Sequence, residues 1–400
     1  MKVFLIGAGA QGGACASVLS RDGKVNEVVL ADLDGELLKK VKEKINSEKL
    51  KTTQVDASDV KQIIEASRGC DLIIDLMPPW MAVNVMKAAL EIGAHYVNTA
   101  FVEPFWSQQL AGEPLELSSA FKDSNLTALL GCGKAPGLLN IMTRLYTDKL
   151  DSVESVKFRV GSRFITEGPY DQLLKPWNPG WSPKTALLDC AASPHVFSEG
   201  QYKLVEPYTG IEEWEFPAPI GKMLISQHSH EELYSIPINI GKGISYCDFK
   251  YIVAYQPAMM VTLGLASEEE IEFNGVKIKP VDFVTQFIPK TNNMFLEETL
   301  ESAVKRMREK HFSMIAIIDG KKDGKKVQYV VNCPMYRDTG EELFKLFGTA
   351  IVDVALPAVT GGKLIVEGAV KGVIFAEQLD PNRYLELLRQ SGVDLIIEEL

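Results

Sequence analysis

Lys2-Val3-Phe4-Leu5-Ile6, running into Gly7-Ala8-Gly9-Ala10-Gln11-Gly12, decides how the rest of this 400-residue chain is read. A short apolar run that stops at a glycine predicts a strand buried on both faces. The glycines then lead into a helix of small residues, Gln11 to Ser20. A second apolar run, Val28 to Ala31, ends on Asp32, 20 residues beyond Gly12. Strand, G-x-G-x-x-G turn, helix, strand and acidic residue, in that order, make up the dinucleotide-binding fingerprint. Each residue type has a physical task. Gly7 permits the tight turn, Gly9 lets the backbone approach a pyrophosphate, and Gly12 lets the helix pack on the strand. The helix start at Ala10 and Gln11 offers free N–H groups and a positive dipole end to phosphates. Asp32 accepts hydrogen bonds from both ribose hydroxyls and repels a 2′-phosphate, and Leu33-Asp34 supply no compensating arginine. The expected cofactor is therefore NAD, with NADP disfavoured.

The alternation continues outward. Helices are predicted at 36–49, 59–66 (capped by Ser58) and 81–92, and strands at 52–55, 71–76, 96–99 and 127–132. Short βα links imply an α/β fold, a Rossmann-type doubly wound parallel sheet over residues 1–150. Such sheets bind ligands at the carboxyl ends of their strands. Four residues there draw interest. Asp56 either touches the adenine or caps the next helix. Pro78 and Pro79 either border the nicotinamide or only stop the strand. Glu103 either acts as an acid/base group or is a surface carboxylate.

With 42 Lys+Arg against 53 Asp+Glu, the net charge of −11 argues against nucleic acid or an anionic membrane as partner. No apolar run approaches the length of a membrane span, and the first strand leaves no room for a secretory leader. The six cysteines are scattered, without C-x-x-C or a histidine at zinc-ligand spacing, so reduced thiols in a cytoplasmic protein and no metal are expected.

From Thr127 the chain reads Thr-Ala-Leu-Leu-Gly-Cys-Gly-Lys-Ala-Pro-Gly-Leu-Leu-Asn-Ile-Met, ending at Met142. Together with the glycine turn and Leu30-Ala31-Asp32-Leu33-Asp34, this resembles the saccharopine dehydrogenase family, which includes lysine 6-dehydrogenase and carboxynorspermidine synthase. Trp181-Ser182-Pro183 and His228-Ser229-His230-Glu231-Glu232-Leu233 look like further family segments. The resemblance implies a mixed α/β domain inserted at 151–338, which binds substrate and forms a homodimer. It implies a return to the first domain over 339–400, with a long helix from Glu341 to Ile365. It also implies hydride transfer at the C–N bond of an amino acid or a polyamine-derived amine or imine. Lysine dehydrogenase and carboxynorspermidine synthase activities both stay open, as does a non-catalytic NAD(H)-sensing dimer. Within the inserted domain, strands are expected at 153–160, 251–254, 259–265, 314–318 and 327–332, with an amphipathic helix at 297–310.

Candidate chemistry follows from residue type. Lys134, between Gly133 and a helix start, either meets a substrate carboxylate, acts as a base when desolvated, or is solvated. Asn140 lies one turn into that helix. His228, His230, Glu231 and Glu232 form the densest titratable cluster; the resemblance implies amine recognition by Glu231 with His230 as proton relay. The alternative is a polar helix start. Arg163 either makes a bidentate carboxylate contact or an ordinary ion pair, and Trp181 either walls the pocket or packs the domain.

Overall fold

The computed structural model describes residues 1–101, 113–165, 176–289, 293–368 and 370–400. Glu103 lies outside the described residues.

Seven parallel strands form the first sheet: β1 (Lys2–Ile6), β2 (Glu27–Asp32), β3 (Leu50–Gln54), β4 (Leu72–Asp75), β5 (His95–Asn98), β6 (Thr127–Leu130) and, from late in the chain, β17 (Gly372–Phe375). Their spatial order is β17-β6-β5-β4-β1-β2-β3. The order reverses between β1 and β4, the switch point at which doubly wound sheets open a ligand crevice. Apolar side chains alternate to both faces. Val3 and Leu5 enter one core and Phe4 and Ile6 the other. That two-sided burial is why the opening run is apolar at successive positions.

The second sheet is mixed. It contains β7 (Ser152–Phe164), β8 (His195–Ser198), β9 (Gln201–Leu204), β10 (Glu212–Phe216), β11 (Gly221–Gln227), β12 (Tyr246–Ile252), β15 (Lys310–Lys322), β16 (Lys325–Tyr336) and β18 (Leu395–Glu399). Its main path runs β10-β11-β12-β7-β15-β16-β18. A small hairpin, β13 (Ile271–Phe273) with β14 (Val276–Ile278), stands apart. The β15–β16 hairpin turns at Asp323-Gly324, both with positive φ. One face of the second sheet, carrying Phe158, Val160, Phe249 and Met314, packs into the same core as Val3, Leu138 and Leu139. The other face holds Ile315 and Ile317 against Phe216.

Several expectations need correction. The apolar run 259–265 does not form a strand. Its first residues close the helix Tyr255–Thr262, whose Pro257 sits in the first turn, where a missing N–H costs nothing. An apolar run alone does not separate the two states. The long helix from Glu341 breaks in two, Gly340–Phe347 and Ala355–Gly368, because Gly348 caps the first in the left-handed conformation. The helix Val60–Ser67 is capped by Asp59, not Ser58. After β17 joins the parallel sheet, β18 leaves it and pairs antiparallel with β16. The tail therefore serves both sheets.

Candidate functional site

The glycine turn is shaped by two different constraints. Gly7 has φ +98° and donates its N–H to Ala31 O at 2.8 Å. A Cβ on Gly12 would stand 1.8 Å from the Gly7 carbonyl oxygen, so Gly12 is required by the fold. A Cβ on Gly9 would meet nothing within 4 Å. No packing within the described chain explains that glycine; a ligand approaching the backbone does. Asp32 ends β2, with Oδ2 accepting from Ala8 N–H at 2.6 Å and Oδ1 from Asp34 N–H at 2.9 Å. A carboxylate oxygen accepts two hydrogen bonds, so each retains capacity for a ribose hydroxyl. These residues fit a dinucleotide.

Beside the turn, Asp75 closes β4 in full burial. Its Oδ1 accepts from Met77 N–H and its Oδ2 from Tyr96 Oη, at 2.9 and 2.7 Å. Burial pushes its carboxyl up to about 7, against those two donors. Pro78 and Pro79 follow at once, and Pro79–Met81 forms a 3₁₀ turn at this edge. Asp56 is occupied locally. Its Oδ1 accepts from Ser58 N–H at 2.9 Å and Ser58 Oγ at 2.7 Å, a turn ahead of the helix that Asp59, not Asp56, caps.

The His228–Glu232 stretch follows β11 and enters the helix Glu232–Ile240. His230 stacks flat on Phe249 of β12, with centroids 4.2 Å apart. Its Nδ1 bonds Glu232 Oε2 and lies 3.6 Å from Glu231 Oε2. Glu231 also accepts from the backbone N–H of Phe101, just past β5, which ties the cluster to the carboxyl edge of the first sheet. Burial raises the Glu231 carboxyl to about 7; His230 opposes this and Glu232 adds to it. Burial disfavours charge on His230, but Glu232, Glu231 and Asp189 outweigh it and raise the imidazole to about 9. His228, 5.4 Å from Tyr251, is lowered to about 3 by burial and by His230, so it is neutral. His230, Glu231 and Glu232 each bring a ligand atom within 4.8 Å of the others, a set that suits a cation.

Asp189, on the helix Pro183–Ala191, is the residue sequence reasoning missed. It is buried, and its Oδ1 has no hydrogen-bond partner among the described residues. Burial, then the charge of Glu231, pushes its carboxyl well above the usual range, with His230 opposing. The available signal was a lone acid in the apolar run Ala186-Leu187-Leu188-Asp189-Cys190-Ala191.

Lys134 lies at the other end of the sheet face on which His230 stacks, which forms a floor between them. Its Nζ lies 3.4 Å from the Phe312 ring centroid and 3.1 Å from Asp353 Oδ2. Phe312 on β15 pairs with Ser162 on β7, and Phe249 on β12 pairs with Phe158 on β7. Two interstrand spacings and four residues of rise separate the two stacks by roughly 16 Å. His230 and Lys134 thus flank one sheet face, each paired with carboxylates.

Other candidates go elsewhere. Arg163 alternates to the opposite face, beside Gly161 and Phe216, and donates to Ile220 O at 3.2 Å. Asn140 is fully buried. Its Nδ2 donates to Glu377 Oε2 at 2.9 Å and its Oδ1 accepts from Gly137 N–H, so it fixes a helix start. Trp181 is half exposed, just before the cap Ser182 of the Asp189 helix.

Residues 3–129 match the family model for the saccharopine dehydrogenase NADP binding domain. The first domain is thus similar to the cofactor-binding domain of that family. Its ligand is a nicotinamide dinucleotide, and the chain is an oxidoreductase built on it. Carboxyaminopropylagmatine dehydrogenase of Synechocystis sp. is 24% identical over 98% of this chain and 96% of its own. Carboxynorspermidine synthase of Vibrio cholerae is 25% identical over 100% of this chain and 97% of its own. The fold is that of apo saccharopine dehydrogenase (L-Glu forming) from Saccharomyces cerevisiae, with TM-score 0.68 and 14% identity over 100% and 99% of the two chains. It is also that of the homospermidine synthase from Legionella pneumophila in complex with NAD, with TM-score 0.65 and 13% identity over 100% and 91%. Among the described residues, no helix is long and apolar enough to cross a membrane.

Proposed function

We propose that the protein is an NAD-dependent oxidoreductase that reduces the imine formed between an amine and a carboxylate-bearing carbonyl compound, or runs that reaction backward. The observation that carries it is the two-ended floor beside the dinucleotide turn, with a lysine at one end and a histidine–carboxylate cluster at the other. Substrates of the kind named for the Synechocystis and Vibrio relatives carry both charges on one long chain. Bound at the glycine turn, the dinucleotide supplies or takes the hydride at the carbon of the C–N bond. Lys134 holds the carboxylate end, and Lys310 at the start of β15 adds a second cation there. Glu231, near 7, exchanges the amine proton, because its pKa lies close to neutral pH. His230 holds the Glu232 charge and orients the pair. Asp32 favours NAD over NADP through its carboxylate.

Two further parts of the reading concern assembly and compartment. Met259, Leu263, Phe273, Phe283 and Phe287 are all more than half exposed, and apolar side chains so exposed suit a homodimer contact. Six free cysteines suit a cytoplasmic location.

Loss of the reduced-nicotinamide absorbance on mixing NADH, a primary amine and a carboxylate-bearing aldehyde tests the activity. Turnover with NADH well above NADPH is expected. Tight NADH binding without turnover for any amine and carbonyl pair overturns it. Light scattering tests the dimer, and a monomer at micromolar concentration overturns that part.

A further inference from the structure

One buried acid beside the glycine turn has no part in the chemistry proposed above. Asp75 is the last residue of β4 and is 2% exposed. It shares a sheet face with Ile6, Ile73 and Tyr96. Both of its oxygens are acceptors, Oδ1 from the Met77 N–H and Oδ2 from the Tyr96 hydroxyl. Tyr96 is level with Ile73 on the neighbouring strand, so its side chain reaches along β4 to the carboxylate.

The stretch that Asp75 holds has few anchors of its own. The Leu76 N–H goes to Ile6 O at 3.0 Å. Pro78 and Pro79 have no N–H to give. Met77 therefore carries the last main-chain donor before Trp80, and Asp75 takes it. The same stretch lies directly against the turn. A Cβ on Gly7 would stand 3.1 Å from Leu76 O and 3.3 Å from Met77 Sδ, and one on Gly12 would stand 3.7 Å from Leu76 Cδ1. Any movement of residues 76–77 is therefore movement of the surface on which the glycine turn rests.

Tyr96 is the titratable group that faces Asp75 from β5. The packing partners on this face from β1 and from the helix Ala82–Ile92 are apolar, Phe4, Ile6, Val85 and Met86. Asp32, at the end of β2, is two interstrand spacings away, about 10 Å. Burial outweighs the two donors and leaves the Asp75 carboxyl at about 7, so both of its forms are populated near neutral pH. The two forms hold Met77 differently. The carboxylate accepts from both donors in charge-assisted bonds, about twice as strong as neutral ones. A proton on Oδ2 faces the Tyr96 oxygen and turns that bond round, and Oδ1 is left as a neutral acceptor. We propose that Asp75 is a positioning residue for the dinucleotide: as a carboxylate it pins residues 76–77 against the glycine turn through the Met77 N–H, and in its neutral form it lets them relax and lowers cofactor affinity. This concerns the dinucleotide site alone and does not depend on the amine chemistry.

The test is calorimetric titration with NADH from about pH 6 to about pH 8.5, which brackets the Asp75 transition. The neutral form binds less well by the fraction of molecules whose segment is displaced, so wild-type affinity should rise about three- to tenfold across the range. Asp75→Asn keeps the shape and an acceptor for Met77 but cannot titrate. Its affinity should stay at the wild-type low-pH level, without slope. Tyr96→Phe removes a donor that lowers the Asp75 carboxyl, so the midpoint of its profile should move to higher pH. A purely structural Asp75 would lower the unfolding temperature of Asp75→Asn and leave the slope in place. A wild-type affinity that is level, or that falls as pH rises, overturns the proposal. So does an Asp75→Asn profile parallel to wild type, which would assign the slope to other groups such as Glu231. If Asp75→Asn does not fold, the Tyr96→Phe midpoint decides: an upward shift supports the pairing, and an unmoved midpoint overturns it.

Discussion

Substituting Gly9 by alanine separates what the fold requires from what the ligand requires. Gly9 has φ −61° and ψ −164°, a conformation open to alanine. The added methyl meets no atom within 4 Å. Alanine is a poorer helix cap than glycine but restricts the unfolded chain, so the net stability change should stay within about 1 kcal/mol. The methyl does, however, occupy space into which the pyrophosphate must come. Forcing an extra methyl into a filled contact costs about 1–3 kcal/mol, which weakens the dinucleotide about 5- to 150-fold. Gly12→Ala should invert the pattern. Its Cβ, 1.8 Å from the Gly7 carbonyl oxygen, forces the helix off the strand, at a folding cost at or above about 3 kcal/mol. Thermal unfolding and calorimetric titration with NAD and NADH read both quantities. A Gly9→Ala protein that unfolds at the wild-type temperature and binds NAD within twofold of wild type refutes the placement of the pyrophosphate.

Asp32→Ala should weaken NAD about tenfold or more and shift preference toward NADPH; a wild-type protein that already prefers NADPH sinks the reading of Asp32. His230 is raised from 6.5 to about 9, so its stabilisation is complete below pH 6.5 and lost as pH rises through about 9. The unfolding temperature of wild type should therefore fall over that window more than that of His230→Gln, and parallel curves would count against the pairing. Asp248→Asn leaves Arg159 buried without its 2.8 Å partner. It should cost near the low end of about 3–5 kcal/mol in denaturant unfolding, since Glu212 remains 3.2 Å from Nε. Arg163→Ala should alter kcat/KM less than twofold; a tenfold loss would contradict its placement on the far face.

The parts of the fold that were legible in sequence are those with a local physical cause. The glycine turn, the alternating strands and the Asp32 position follow from backbone sterics and two-sided burial, and the structure has them where the pattern put them. The run at 259–265 was not legible, because an apolar segment looks the same in a strand and on a helix face that stays exposed. Arg163 shows a second limit. Its strand was correctly expected, but side-chain parity depends on which face the partner sheet covers, and that is a tertiary fact. Asp189 shows a third: one acid in an apolar helix gains meaning only when Glu231, 42 positions away, is brought near enough for their charges to interact.

The return strand has a consequence for how the chain is made. Until β18 arrives, β16 presents an unpaired edge beside an otherwise finished sheet. β17 precedes it, so the parallel sheet is complete while the second sheet is still open at one side. Release of the last residues therefore closes the second sheet, and a chain that stops short of Leu395 leaves the β16 edge open.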